Sequence, residues 1–461
     1  MGAGKTTIGR EVARLLERAF VDLDEEIERR HGPIPRLFEE QGEPEFRRLE
    51  EELVAEVLCR EEPCVVALGG GAVLSERSRA RLQARAFTVL IELDLPTAWE
   101  RARGGDRPLA SDYETFARLH RERQPLYRAV AEGHARDVDD VLLRCLEVDV
   151  APRVLEFPFS TLDLDLALVA DQRVLDLYHP DLGDRVVSTH SLPPGEDAKT
   201  SEVVERLWGE LTLSRTGVIV ALGGGATTDV AGFVAATYLR GIPWIAIPTT
   251  VVGQADAAIG GKTGINLRKG KNLAGAFHLP IKVFVDPTFL TTLPAAQRRE
   301  GMAEVVKTGL LAGSELWTLD DEAMVRGCAA FKAAVVVSDP QEQGRRAILN
   351  LGHTFAHALE AGAGYGTVSH GEAVALGLTA ALRLSERHLG LDPAVREEVE
   401  RVLEPKAVRA DREAAWAALR RDKKTKEGRA RLVLLEAPGK PVWGYELPEN
   451  EVRAALESLI V

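Results

Sequence analysis

The segment Leu349-Asn350-Leu351-Gly352-His353-Thr354-Phe355-Ala356-His357, with His370-Gly371-Glu372 downstream, gathers three of the ten histidines of the 461-residue chain. His353 and His357 are four apart, so a helix would turn both rings to one face. Imidazole is the commonest zinc ligand, and a catalytic Zn²⁺ site takes about three N or O ligands while keeping one position open. A carboxylate that could complete such a set stands upstream at Glu304, in Gly301-Met302-Ala303-Glu304-Val305-Val306-Lys307. Two helical histidines alone could equally share a solvated face. The neighbouring cations weigh towards a metal site.

Those cations stand out because the chain prefers arginine: Lys5 is the only lysine before Lys199, whereas Lys262, Lys269, Lys271, Lys282, Lys307 and Lys332 then follow closely. A compact ammonium suits phosphate, carboxylate or proton transfer; Lys269 and Lys282 read equally well as surface residues. The net charge of −13 argues against a nucleic-acid partner, and any anionic substrate must be held by locally gathered cations. Two glycine-rich turns could hold phosphates. Gly2-Ala3-Gly4-Lys5-Thr6-Thr7 is the second half of a G-x-x-x-x-G-K-[ST] loop, in which amides cradle phosphates, Lys5 reaches the β- and γ-phosphates and Thr6 holds Mg²⁺. Gly223-Gly224-Gly225-x-x-x-Asp229, between a strand and a helix, would set a pyrophosphate on a helix N-terminus.

The elements that must position these groups alternate. At 45% hydrophobic and 28% charged the chain is globular, with two or three domains expected from its length. No apolar run approaches the roughly 20 residues of a membrane helix, a signal-peptide pattern is not apparent, and Cys59, Cys64, Cys145 and Cys328 form no C-x-x-C pair. A reducing cytosol fits. Strands at Cys64 to Leu68 and Thr88 to Leu93 alternate with helices such as Arg47 to Leu58, which implies a parallel α/β sheet. After a joint near Val150 to Pro158 come strands at Ala167 to Ala170, Gly217 to Leu222, Trp244 to Ile247 and Lys282 to Val285. From about Pro294 the pattern turns helical. Ala-Leu-Gly-Gly-Gly-Ala occurs twice, at Ala67 to Ala72 and Ala221 to Ala226, each time closing a strand where a ligand can approach the backbone.

Phe20-Val21-Asp22-Leu23-Asp24, Gly42-Glu43-x-x-Phe46-Arg47-x-x-Glu50, Gly69-Gly70-Gly71, Arg107-Pro108-Leu109 and Arg123-Gln124-Pro125-Leu126-Tyr127, with the phosphate loop, resemble shikimate kinase over nearly all of residues 1 to 148. The resemblance implies that Asp24 binds the shikimate hydroxyls and takes a proton, and that Thr6 and Asp22 order Mg²⁺ with ATP. It further implies that Gly2, Gly4, Lys5, Thr6 and Thr7 hold phosphates. Arg47 and Arg123 would pair with the carboxylate, Gly69, Gly70 and Gly71 would line the ring, and Arg107 would come from a lid. In that family a strand precedes the phosphate loop at the centre of the sheet. That strand and the first motif glycine have no counterpart here, so two strand edges should be left unpaired, and the kinase half is either compromised or continues upstream.

The second half looks like 3-dehydroquinate synthase from about Asp171 to Asp422-Lys423-Lys424. Its motifs include Ala231 to Gly241, Pro248-Thr249-Thr250, Gln254-Ala255-Asp256, Gly260 to Asn266, Gly270-Lys271-Asn272, Glu304 to Lys307 and the histidine segment. The resemblance implies Zn²⁺- and NAD-dependent cyclisation of DAHP with loss of phosphate. Glu304, His353 and His370 would ligate zinc, leaving His357 as a catalytic group beside it, which departs from the simple helical pairing. Arg240, Lys262, Lys307, Lys332, Arg346, Asn350 and Lys423 would clamp the substrate's phosphate and carboxylate, with Asp256, Lys271 and Asn272 shaping the site. Asp171, Glu196, Lys199, Gly224, Gly225, Asp229, Thr249 and Thr250 would hold NAD. Ala257 and Ala258 replace serines common in the family, and Pro340 replaces an acidic residue.

The expected fold is thus a P-loop kinase-like parallel-sheet domain at 1–148 and a linker at 149–158. A Rossmann-like NAD-binding α/β subdomain at 159–290 and an all-helical metal- and substrate-binding subdomain at 291–461 would follow. Small molecules (DAHP, shikimate, ATP) are the expected partners, with no membrane, in a cytoplasmic homodimer built through the synthase part. Related sugar-phosphate cyclases or polyol dehydrogenases, and a non-catalytic N-terminal binding module, are the alternatives.

Overall fold

The computed structural model describes residues 2–103, 112–153, 157, 163–180, 182–364, 366–422 and 429–461. It divides into two units, Met1–Cys145 and Leu146–Val461.

In the first unit β1 (Ala19–Asp22) pairs in parallel with β2 (Cys64–Ala67), and β3 (Val89–Ile91) pairs in parallel with β4 (Gly133–Ala135). The two pairs are separate sheets. One cavity is lined by residues of both pairs, Val65 and Val66 of β2 and Val89 and Ile91 of β3, with Ile8, Val12 and Leu68 and charged groups that include Lys5 and Arg85. Among the described residues β2 and β3 each hydrogen-bond to one strand. Helix Lys5–Leu16 buries Val12, Ala13 and Leu16. The helix expected from Arg47 begins earlier and spans Ile34–Leu58, because two helical stretches run together across a break at Gly42. Its Leu53, Val54 and Val57 pack with Leu23, Ile27 and Phe46.

The second unit holds a six-stranded sheet in the order β5 (Val148–Val150), β12, β9, β8, β6 and β7, all in parallel pairs. In chain order these are β6 (Leu166–Asp171), β7 (Val186–Leu192), β8 (Val218–Gly223), β9 (Trp244–Pro248) and β12 (Lys282–Val285). Every residue of β6, β8 and β9 is buried, as strands covered on both faces require. β10 (Lys262–Leu267) and β11 (Gly270–Phe277) form an antiparallel hairpin outside this sheet. The expected boundary shifts: residues 148–150, taken as the end of one domain and the start of a linker, are an edge strand of the second unit's sheet, with Val148 beside Val283. Only the short Val-Asp-Val alternation signals it, and Pro152 masks it.

The C-terminal region is helical, with one correction to the all-helical expectation. β13 (Arg429–Ala437) and β14 (Lys440–Pro448) make an antiparallel hairpin. Leu432, Leu434 and Leu447 pack against Phe355, Leu359, Leu376 and Leu384 of the helices, while Val433 and Leu435 join a second apolar cluster, so the hairpin is buried on both faces of β13. Among the described residues no helix is long and apolar enough to cross a membrane.

Candidate functional site

Three helices of the second unit converge on one point. Glu304 comes from helix Ala295–Ala312, His353 opens helix His353–Ala363, and His370 opens helix His370–Leu389. Gly352 adopts φ 78°, a left-handed turn that starts the second helix directly at His353; a Cβ there would lie 2.8 Å from Leu378 N. One ligand atom from each of Glu304, His353 and His370 lies within 4.8 Å of the others. Glu304 Oε1 is 3.2 Å from His370 Nε2 and 3.3 Å from His353 Nε2. Each ring turns its other nitrogen to a protein oxygen: His353 Nδ1 to Leu351 O at 3.2 Å, His370 Nδ1 to Glu360 Oε1 at 3.3 Å. That is how metal-binding imidazoles are held, with Nε2 offered to the ion and Nδ1 anchored behind. The donor set fits a divalent transition metal. Burial would raise the Glu304 carboxyl, but Lys307 and His353 hold it well below the usual carboxylate range. Burial opposes charge on His370, yet Glu304 and Glu360 raise it to about 10.

Beside this cluster sits Asp256, in a π-helical turn at Gly253–Ala257. Gln254 pins that turn through Nε2 bonds to Pro248 O and Asp286 O at 3.0 and 2.7 Å. Lys307 Nζ lies 3.2 Å from Asp256 Oδ2 and 2.5 Å from Glu304 Oε2, and Lys332 donates to Asp256 Oδ1. Burial pushes the Lys332 ammonium below its ordinary value, against the pull of Asp256. Arg346 is 1% exposed and donates to Gly260 O and Pro340 O at 2.8 and 2.7 Å. A residue not expected from the sequence, Glu342, gathers two more members of the clamp: its carboxylate meets Lys262 Nζ at 2.5 Å and Asn350 Nδ2 at 3.0 Å. Glu360 was missed as well. It is 3% exposed and joins Lys271 Nζ at 3.0 Å to His370. His357 is exposed with its ring 5.7 Å from that of His353. Arg240 stands apart from this group, because the chain leaves helix Gly225–Thr237 through left-handed residues Leu239 and Arg240. It is exposed, and no hydrogen bond or ion pair joins it to the cluster among the described residues. Lys423 lies outside the described residues.

The dinucleotide-type turn lies where the sheet order reverses, since β6 is flanked by β7 on one side and β8 on the other. Open α/β sheets bind ligands at such a point, beyond the strand C-termini. β6 ends at Asp171, and β8 runs through Gly223 and Gly224 into helix Gly225–Thr237, whose first turn has no side-chain cap. The Thr249 amide donates to Gly223 O at 2.9 Å, and Thr250 Oγ1 accepts from Gly253 N at 3.1 Å. Lys199 Nζ bonds Asp229 Oδ2 at 2.6 Å and Asn272 Oδ1 at 2.5 Å, and Glu196 Oε2 accepts from Asn266 Nδ2 at 2.8 Å. Of the expected dinucleotide residues, Glu196, Lys199 and Asp229 are thus linked to Asn266 and Asn272 of the β10–β11 hairpin.

In the first unit Gly4 starts helix Lys5–Leu16 without a side-chain cap, leaving amides for phosphate. Gly2 precedes it at φ 72°, and Thr7 is exposed on its first turn. Thr6 Oγ1 donates to Asp22 Oδ2 at 2.6 Å, and Asp22 also caps the next helix through the Asp24 and Glu25 amides. Arg47 Nη1 bonds Glu50 Oε2 at 2.7 Å. Arg123 and Tyr127 donate to Gly70 O at 3.3 and 2.7 Å. Glu50, quoted in the kinase motif but given no role there, stands three after Arg47 on one helix, which was the available signal. Arg107 lies outside the described residues. The repeated hexapeptide has two outcomes: the first copy enters a 3-10 turn at Ala72–Leu74, the second a helix. A Cβ at Gly71 would sit 1.8 Å from Arg47 Nη1. With Arg47 holding the substrate carboxylate as the sequence resemblance implies, Gly71→Ala is expected to displace the guanidinium and raise the KM for shikimate by about 10–100-fold, the worth of a hydrogen bond to a charged group. Steady-state kinetics with shikimate checks this, and an unchanged KM refutes it.

Comparison with known proteins agrees with this layout. A shikimate kinase family model matches residues 1–142, a 3-dehydroquinate synthase N-terminal model 189–300, and a 3-dehydroquinate synthase C-terminal model 301–425. The chain is similar to a 3-dehydroquinate synthase of Salinibacter ruber, 41% identical over 288 residues, spanning 57% of this chain and 78% of that protein. It also matches a bifunctional shikimate kinase/3-dehydroquinate synthase of Thermotoga maritima, 32% identical over 477 residues and 95% of both chains. Among solved structures, ValA (2-epi-5-epi-valiolone synthase) from Streptomyces hygroscopicus subsp. jinggangensis, with NAD⁺ and Zn²⁺ bound, superposes with a TM-score of 0.61 at 28% identity. That match covers 68% of this chain and 96% of that one. With kinase and synthase models lying end to end and a two-function relative matched along almost its whole length, the chain belongs to the family of bifunctional shikimate kinase/3-dehydroquinate synthases.

Proposed function

We propose that the second unit converts DAHP to 3-dehydroquinate and phosphate, and that the first phosphorylates shikimate with ATP and Mg²⁺. We assign the protein to the cytoplasm as a homodimer joined through its synthase part. The observation that carries the synthase reading is the meeting of Glu304, His353 and His370 beside buried Lys307 and Lys332. When bound, zinc would polarise a substrate hydroxyl, and NAD would accept and return a hydride.

The chain's own groups supply the rest. Lys332 and Arg346, both buried, face the substrate carboxylate and the negative charge that develops next to it. Lys262 and Asn350 hold the phosphate; Glu342 keeps them in place until that anion takes over its contacts. His357, exposed beside His353, exchanges a proton with the substrate. Asp171, Thr249, Thr250, Gly224 and Gly225 line the NAD groove, and Lys199 fixes Asp229. The paired charges on DAHP favour this reading over an uncharged polyol, which needs no such cations. Phosphate release from DAHP, followed by a coupled assay, is expected to stop on chelation and return with added Zn²⁺. A rate indifferent to chelator refutes the metal-dependent reading.

In the first unit Asp24 takes the proton of the attacking hydroxyl, Arg47 and Arg123 hold the carboxylate, and Thr6 with Asp22 orders Mg²⁺. Asp24→Asn is expected to lower kcat for shikimate-dependent ADP formation by about 10²–10⁴-fold while 3-dehydroquinate formation continues unchanged. An unimpaired kinase rate in this variant overturns the role of Asp24.

A further inference from the structure

We propose that Glu360 is a positioning residue that ties the dinucleotide groove to the metal ligands, so that NAD and the divalent ion bind cooperatively. The inference rests on the synthase reading for the identity of the two ligands, and its test reads binding, not turnover.

A chain of short contacts carries it. From the helix at the dinucleotide turn, Asp229 Oδ2 holds Lys199 Nζ at 2.6 Å, and the same ammonium meets Asn272 Oδ1 at 2.5 Å. Asn272 sits in β11 with φ 54°, in the left-handed region that asparagine enters more readily than most residues. Its neighbour Lys271 reaches across to helix His353–Ala363, where its Nζ lies 3.0 Å from Glu360 Oε1. That same oxygen is 3.3 Å from His370 Nδ1, and His370 Nε2 is 3.2 Å from Glu304. One covalent step, Lys271 to Asn272, is the only link not made by side chains.

Glu360 is 3% exposed, so its charge has no solvent to fall back on and needs both partners. On one side it accepts from the ring nitrogen that must carry a proton if Nε2 is to face an ion, which fixes the tautomer and aim of a metal ligand. On the other side it anchors the hairpin that presents Asn272 to the groove. A dinucleotide that steadies the hairpin thereby steadies Glu360 and His370, and an ion that fixes His370 steadies the hairpin in return. Linkage makes the two effects equal in size.

The experiment measures Zn²⁺ affinity of the full chain by competition with a chromogenic chelator, with and without saturating NAD. In the parent, NAD is expected to tighten Zn²⁺ binding about fivefold or more. Glu360→Gln is expected to weaken Zn²⁺ binding by about 10–100-fold and to abolish the NAD effect. Lys271→Met, which removes one of the two partners of Glu360, is expected to weaken Zn²⁺ binding less than Glu360→Gln does and to lose the NAD effect. Glu360→Asp retains charge on a shorter arm and is expected to show the same losses in smaller measure, which covers a Gln variant that does not fold. Zn²⁺ affinity unchanged in both Glu360 variants overturns the proposal, as does a parent whose affinity ignores NAD. Failure of the chain to release phosphate from DAHP would instead strike the synthase reading and leave these binding results standing.

Discussion

Exchange of Glu304 for Gln is expected to lower kcat/KM for 3-dehydroquinate formation by about 10³-fold or more, because loss of even a partner behind a metal ligand costs about 10–100-fold. Glu304 is the one anionic ligand of the set, and both histidine Nε2 atoms lie within 3.3 Å of its Oε1. The amide keeps the shape but removes the charge that offsets the ion, and it also leaves Lys307, 2.5 Å from Oε2, with Asp256 as its remaining anionic partner. Metal content measured after gel filtration should fall together with activity. The shikimate kinase rate of the same chain serves as an internal control and should not move. A variant that retains metal and turns over DAHP at the parental rate would remove Glu304 from the metal site.

The two histidines of the candidate metal cluster were legible in the sequence because their residue type is rare, and three of ten histidines fall near one another; Glu304 was found only by its place in a motif. Helical spacing alone pairs His353 with His357, whereas the structure sets His353 and His370 around Glu304 and leaves His357 exposed. The reason is positional: both histidines are the first residues of their helices, so two helix starts, not one helical face, meet at Glu304. Glu342 and Glu360 escaped notice for the opposite reason. In a chain with 71 acidic residues a carboxylate carries no signal by type. Glu360 did leave one trace, since it follows His353 by seven positions and shares its helical stripe. The α/β pattern was readable from buried apolar runs, and β6, β8, β9 and β12 fall where those runs lie. β5 and the β13–β14 hairpin were not, because three residues beside a proline and a hairpin amid helices produce no period of their own.

Thr6, Asp22, Arg47, Glu50 and Arg123 take their positions from helices Lys5–Leu16, Ile34–Leu58 and Tyr113–Val130 and from the Asp22 cap.

Replacement of Asp256 by Ala should harm folding as well as catalysis. Its carboxylate is the common partner of Lys307 and Lys332, which are 1% and 8% exposed. Removing one member of a buried ionic group strands the others, a loss of about 3–5 kcal/mol, and here two ammonium groups would face each other with only Glu304 left between them and the histidines. Asp256 outweighs its neighbours because it counters both lysines from a turn that Gln254 locks to β9 and to Asp286. Denaturant unfolding followed by intrinsic fluorescence should show the midpoint of the second unit shifted down while the kinase unit holds its own, and 3-dehydroquinate formation should be lost even where the protein remains folded. Asp256→Asn, which keeps one hydrogen-bond acceptor, should recover part of the stability and little of the activity. Equal stability of the Ala variant and the parent would mean that the two lysines find other anions, and the cation cluster would then owe its geometry to the helices alone.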